Sequence, residues 1–146
     1  MERSSAIYKK VIDSFKVEIN AKYQPRGGKT YCNTFAQDVM NHDDLNAALP
    51  SGTTSTMCNA LYGNKNPKWK SVDFQEAQKR ANQGYPTIAI KPGHVAIVKP
   101  KGKEITQLKE VCIAQAGATN YNSTTINWAW ASNELTEVKF YSHYEQ

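Results

Sequence analysis

The stretch Pro86-Thr87-Ile88-Ala89-Ile90-Lys91-Pro92-Gly93-His94-Val95-Ala96-Ile97-Val98 sets two short apolar runs on either side of a Pro-Gly pair. Isoleucine and valine branch at Cβ and suit a pleated surface, while Pro-Gly favours a tight turn, so this stretch predicts two strands joined by a short connection. The runs 111–116 and 138–144 have the same character. Everything before Pro86 reads differently. Ile7, Val11, Phe15 and Ile19 recur at four-residue steps among Lys9, Lys10, Asp13 and Lys16, which predicts an amphipathic first helix. Gln24-Pro25-Arg26-Gly27-Gly28 breaks it. Thr30 then offers a cap for a second helix carrying Cys32, Phe35, Ala36, Val39 and Met40 on one inward face. Residues 41–55 read as an irregular connection able to wall a cleft, followed by a short helical run at 57–62. Ser71 offers the cap of a further helix through Phe74, Ala77, Gln78 and Ala81, stopped by Asn82-Gln83-Gly84. Helices first and strands afterwards predict an α+β domain, with N-terminal helices covering one face of a mostly antiparallel sheet.

The chain has 146 residues, the size of one domain and too short for two cores, so residues 1–146 are expected to form a single catalytic or binding unit. Hydrophobic residues make up 40% and charged residues 21%, and no apolar run reaches the roughly 20 residues of a membrane helix; no membrane partner is expected. The first twenty residues, with charges every few positions, do not read as a secretory signal. A formal charge of +5 favours a polyanionic partner, but the lysines and arginines are scattered without a dense run, so no nucleic-acid partner is expected.

Three cysteines, Cys32, Cys58 and Cys112, leave at least one thiol unpaired, and none has the neighbours of a zinc knuckle; no metal and no cofactor are expected. The first turn of a helix presents the positive end of the helix dipole and unpaired N–H groups, both of which favour thiolate, so Cys32 is the candidate nucleophile. His94, at the start of its strand, has one side of its ring open and is the candidate base. Gln115 is a polar residue in an apolar strand and needs a buried partner, so it is the candidate to orient the imidazole, with Asn120 as the alternative. Cys58 and Cys112 read as core. His42, in Asn41-His42-Asp43-Asp44, lacks a recognised ligand spacing, and His143 among tyrosines reads as packing.

Tyr31-Cys32-Asn33-Thr34-Phe35-Ala36-Gln37-Asp38-Val39, together with Gly93-His94-Val95-Ala96-Ile97-Val98 and Ala114-Gln115-Ala116-Gly117, resembles the NlpC-type and CHAP-type cysteine peptidases, a papain-like superfamily of peptidoglycan amidases and endopeptidases. The likeness runs from about Tyr23 to Tyr144. It implies a nucleophilic Cys32, a His94 base on the next strand and a third polar residue at Gln115, where the family commonly has His, Asn, Asp or Glu. It also implies an oxyanion hole at the Cys32 N–H completed by Tyr23, with Tyr31, Asn33 and Asn120 lining the substrate. The expected activity is amide hydrolysis in the stem or crossbridge of peptidoglycan by a monomer. The enzyme would be delivered to the cell wall or periplasm without a classical signal, as an endolysin released through a phage holin or as a type VI secretion effector met by a cognate immunity protein. Rival readings are an acyltransferase or a protein protease of the same fold, and a non-enzymatic basic module that holds a wall polymer or nucleic acid, with Cys32 structural.

Overall fold

The two apolar runs around Pro92-Gly93 form β2 (Thr87–Lys91) and β3 (His94–Val98), paired antiparallel with Lys91 opposite His94. Gly93 takes a φ of +100°, a left-handed conformation that any residue with a Cβ enters only under strain, which is why the turn carries glycine there. The computed structural model describes residues 1–145. Among them β4 (Cys112–Gln115), β5 (Tyr121–Thr125), β6 (Lys139–His143) and β1 (Trp69–Val72) complete a six-stranded antiparallel sheet in the order β1-β6-β2-β3-β4-β5. The helices are α1 (Ser5–Ser14), α2 (Cys32–Met40), α3 (Thr54–Leu61), α4 (Phe74–Asn82) and a short α5 (Ser132–Leu135). The architecture is α+β.

The central strands are buried on both faces. Residues 87–90 and 95–98 are nearly inaccessible at successive positions, so both sides of the sheet are covered and the expectation of a single covered face is corrected. Their unbroken apolar runs carry the reason, since a strand with one wet face alternates apolar and polar residues. β1 and β5, at the two edges, were not anticipated. Lys70 and Ser71 in β1, and Asn122 to Thr125 in β5, give edge strands a polar composition that reads as loop.

Three local expectations also change. α1 buries Tyr8, Val11 and Ile12, while Ile7 is 44% and Ile19 76% exposed. Steps of four residues drift by about 40° each around a helix, so a buried stripe follows i, i+3, i+4. The helix ends at Ser14, and Lys16 adopts a φ of +50°, well before Ile19. Ser71 lies in β1 opposite Tyr141, and the cap of α4 is Asp73, whose carboxylate accepts from the Glu76 N–H at 2.7 Å. Thr30 caps nothing; its neighbour Tyr31 is the N-cap of α2.

Tyr8 ties α1 to the sheet. Its hydroxyl donates to the Val98 carbonyl at 2.8 Å and accepts from the Thr87 N–H at 3.1 Å, filling the rung that would follow the Ile88–Ile97 pair. Gln78 does the same one strand over, donating to Lys99 O and accepting from the Cys112 N–H. Tyr8→Phe removes the hydroxyl and leaves buried backbone groups unpaired, so it should destabilise the fold by about 2 kcal/mol. The expected result is a lower urea midpoint with an unchanged slope. A midpoint equal to wild type would show that the β2–β3 end does not depend on this hydroxyl.

Candidate active site

Three elements converge on one point. α2 places Cys32 in its first turn, β3 places His94 at its start, and β4 places Gln115 at its end. The register between β3 and β4 sets Val98 opposite Ile113 and Ile97 opposite Ala114. Continuing it brings Gln115 opposite Ala96, two residues from His94 and on the same face, a diagonal that long side chains can span. They do: His94 Nε2 lies 2.8 Å from Gln115 Oε1.

The orientation of Gln115 decides the protonation pattern. Its Nε2 donates to the Thr119 carbonyl at 2.9 Å, so its Oε1 is the atom that faces His94. A carbonyl oxygen only accepts, so His94 Nε2 must carry the proton it shares with Gln115. In the neutral ring Nδ1 is then unprotonated, and it is the nitrogen left to take a proton from the Cys32 thiol, whose ionisation the imidazole influences. The base is preset in the tautomer that can accept the thiol proton.

Burial pushes the Cys32 thiol up, but the hydrogen bond and charge of His94, the Val95 N–H and the Thr54 hydroxyl together outweigh it and bring the thiol down to about 7. The Thr54 Oγ1 stands 3.7 Å from the sulfur. Burial alone would lower His94, yet the Cys32 sulfur and then Gln115 raise it above its ordinary value. The two shifts have opposite signs, so a thiolate–imidazolium pair is favoured near neutral pH.

α2 begins without a side-chain cap. Its first-turn amides, including the Cys32 N–H, are therefore left to a ligand, at the place where an amide carbonyl attacked by Cys32 would develop negative charge. Two cavities flank the dyad. One, of about 260 Å³, is walled by Asn33 and by Thr53, Thr54 and Ser55 beside Cys32. The other, of about 210 Å³, opens beside His94 and Gln115 and is walled by 117–119, Tyr121 and Trp128. Thr30 lines both halves of this groove, and apart from Cys32 and His94 themselves no acidic or basic side chain lines either.

The residues 41–55 expected to wall a cleft do so at their end, through Thr53, Thr54 and Ser55. Asn33 stands in the groove with its amide on Gly52 O. Tyr31, Tyr23 and Asn120 are absent from those walls. The Tyr31 ring lies under the Arg26 guanidinium at 4.7 Å. Tyr23 is buried and donates its hydroxyl to Asp38 at 2.6 Å, so in place of completing an oxyanion hole it braces α2. Asn120 is not the orienter: it donates to Val17 O and Tyr23 O and accepts from the Gly117 N–H, which leaves no amide atom for the imidazole. Cys58 and Cys112 are buried in the interior. His42 accepts from the Asp44 N–H, and His143 packs edge-on against Trp69.

Sequence reading missed Thr54, Gly117 and Trp130. The Trp130 ring packs edge-to-face on His94 with centroids 5.0 Å apart, closing the back of the imidazole. A Cβ on Gly117 would meet Gln115 Nε2 at 3.3 Å and His94 Cε1 at 3.4 Å, so a side chain there would press on the two groups that fix the imidazole. A glycine two positions after the polar strand residue Gln115 was the one signal in the sequence. Gln115→Ala removes the acceptor that fixes the ring, and should lower the rate of the Cys32–His94 chemistry about 10- to 100-fold at unchanged stability. Gln115→Glu keeps the acceptor and adds a negative charge, so the imidazolium should persist to higher pH. Wild-type pH dependence in both variants would remove Gln115 from the positioning role.

No family model matches the chain, and no curated protein matches its sequence significantly.

Proposed function

We propose that this chain is a cysteine hydrolase of papain-like type that cleaves an amide bond of peptidoglycan, in the peptide stem or crossbridge. The observation that carries the chemistry is the Gln115-oriented His94 ring, with Nδ1 left unprotonated, coupled to a Cys32 thiol at the uncapped start of α2. The peptidoglycan class rests on the motif resemblance around Cys32, His94 and Gln115, and a formal charge of +5 suits an anionic wall.

Cys32 passes its proton to His94 Nδ1, and the thiolate sulfur attacks the carbonyl carbon of the amide. The carbonyl oxygen becomes an oxyanion held by the first-turn N–H groups of α2. As the C–N bond breaks, the His94 imidazolium gives its proton to the leaving amine, and the acyl group stays on sulfur as a thioester. A water molecule then loses a proton to His94 and attacks the thioester carbonyl. The product carboxylic acid leaves, and the proton returns to sulfur. The neutral Gln115 holds the ring through both steps without forming a carboxylate–imidazolium pair.

Such an enzyme would work as a monomer at the wall or periplasm, as an endolysin or an antibacterial effector, and an immunity protein would act by filling the groove between Thr54 and Trp128. The test is digestion of purified peptidoglycan by the wild-type chain, with products identified by mass spectrometry. New fragments carrying a free amine and a free carboxylate support the reading. An undigested wall, under conditions where Cys32 is alkylated readily, would move the amide substrate outside peptidoglycan.

A further inference from the structure

Trp128 is 64% exposed, in a short 3₁₀ turn Ile126–Trp128 whose other end is anchored by the fully buried Ile126. An indole this exposed contributes little to the fold, and an exposed aromatic that pairs with a second ring in the wall of a groove offers a contact face. Its place is informative: it walls the His94 side of the groove together with Tyr121, the two rings 6.4 Å apart and tilted by 54°. The remaining wall is the turn 117–119 and Thr30, which offers hydroxyls and peptide groups and no formal charge.

We infer that the Trp128–Tyr121 corner is a sugar-ring subsite, which takes a pyranose of the glycan strand while the attached peptide crosses the Cys32–His94 dyad. The apolar C–H face of a pyranose stacks on an aromatic ring, and its hydroxyl and acetamido groups need neutral donors and acceptors, as Thr30 and the 117–119 backbone provide. The occupant rests on the peptidoglycan reading, but the subsite can be tested without catalysis.

In a Cys32→Ala background, calorimetric titration would use two probes: the peptide-free disaccharide of N-acetylglucosamine and N-acetylmuramic acid, and the free stem pentapeptide. Trp128→Ala should weaken the disaccharide about five- to tenfold, the scale of one aromatic stacking contact, and leave the pentapeptide within twofold. Trp128→Phe should recover part of the loss. The subsite is overturned if the disaccharide fails to bind the parent, if its Kd is unchanged in Trp128→Ala, or if both probes weaken together. Failure of the hydrolase reading is seen separately, as an undigested wall with the wild-type chain, whatever the titrations give.

Discussion

Cys32→Ala should lower the digestion of purified peptidoglycan by about 10⁴-fold or more while leaving the thermal midpoint close to that of wild type. The loss is large because the sulfur forms the bond that defines the intermediate; with it gone, only binding and the first-turn amides remain to assist water. The fold should survive because the side chain is small and lies at the edge of the groove, where Thr54 and solvent-accessible walls meet it. Cys32→Ser is the sharper control. It keeps the size and a hydroxyl, but an alcohol does not ionise near pH 7, so the variant should be nearly as inactive as the alanine. Digestion by Cys32→Ala at the wild-type rate would exclude this residue as the nucleophile. Retention by serine of more than a few per cent of activity would exclude the thiolate mechanism.

His94→Ala should cost about 10³- to 10⁴-fold in activity and, independently of any substrate, should slow alkylation of Cys32 by iodoacetamide at pH 7. The sign follows from the balance around the thiol. Burial acts upward and is the largest influence; His94 supplies the main opposing pull that brings the thiol to about 7. Without the imidazole, burial dominates and the thiolate fraction at neutral pH falls. In the wild type, kcat/KM should rise with pH as the thiol gives up its proton, with the ascending limb near 7, and fall again as the raised His94 imidazolium is lost. Both limbs belong to the pair and not to either residue alone. In His94→Ala the descending limb should vanish and alkylation should climb in one step at higher pH. An unchanged alkylation profile would mean that His94 does not set the state of Cys32. A wild-type profile flat across neutral pH would count against the dyad.

The candidate site was legible where chemistry and period coincide. Cys32 could be placed in a first helical turn because Phe35, Ala36, Val39 and Met40 follow at helical spacing, and all four are buried as that spacing requires. Gln115 stood out because an amide in the apolar run Cys112–Gln115 needs a buried partner, and the imidazole is that partner. Tyr23 and Asn120 were placed at the groove by the family resemblance, and Asn120 also by its amide chemistry, neither of which says anything about direction. Both proved to be spent on internal hydrogen bonds, Tyr23 to Asp38 and Asn120 to the 17 and 23 carbonyls. Thr54 opens α3, ahead of the 57–62 run that the sequence predicts, and Gly117 and Trp130 sit in turns, where no repeat in the sequence reports which way a residue faces.

The same division runs through the fold. Local periodicity and turn chemistry decided the central strands around Pro92-Gly93, the Cys32 helix and the α+β class, because each depends on residues a few positions apart. The edge strands β1 and β5, the covering of both sheet faces, and the Tyr8 hydroxyl set into the β2–β3 ladder depend on partners far along the chain. So does the chemistry itself. The sequence by itself determined that a thiol at a helix start, an imidazole at a strand start and a strand amide were present. Only the tertiary structure decided that Thr119 turns the amide, that the amide fixes the proton on His94 Nε2, and that Nδ1 is thereby left unprotonated. A tautomer is set by the geometry of hydrogen-bond partners brought together in space, and no spacing along the chain encodes it.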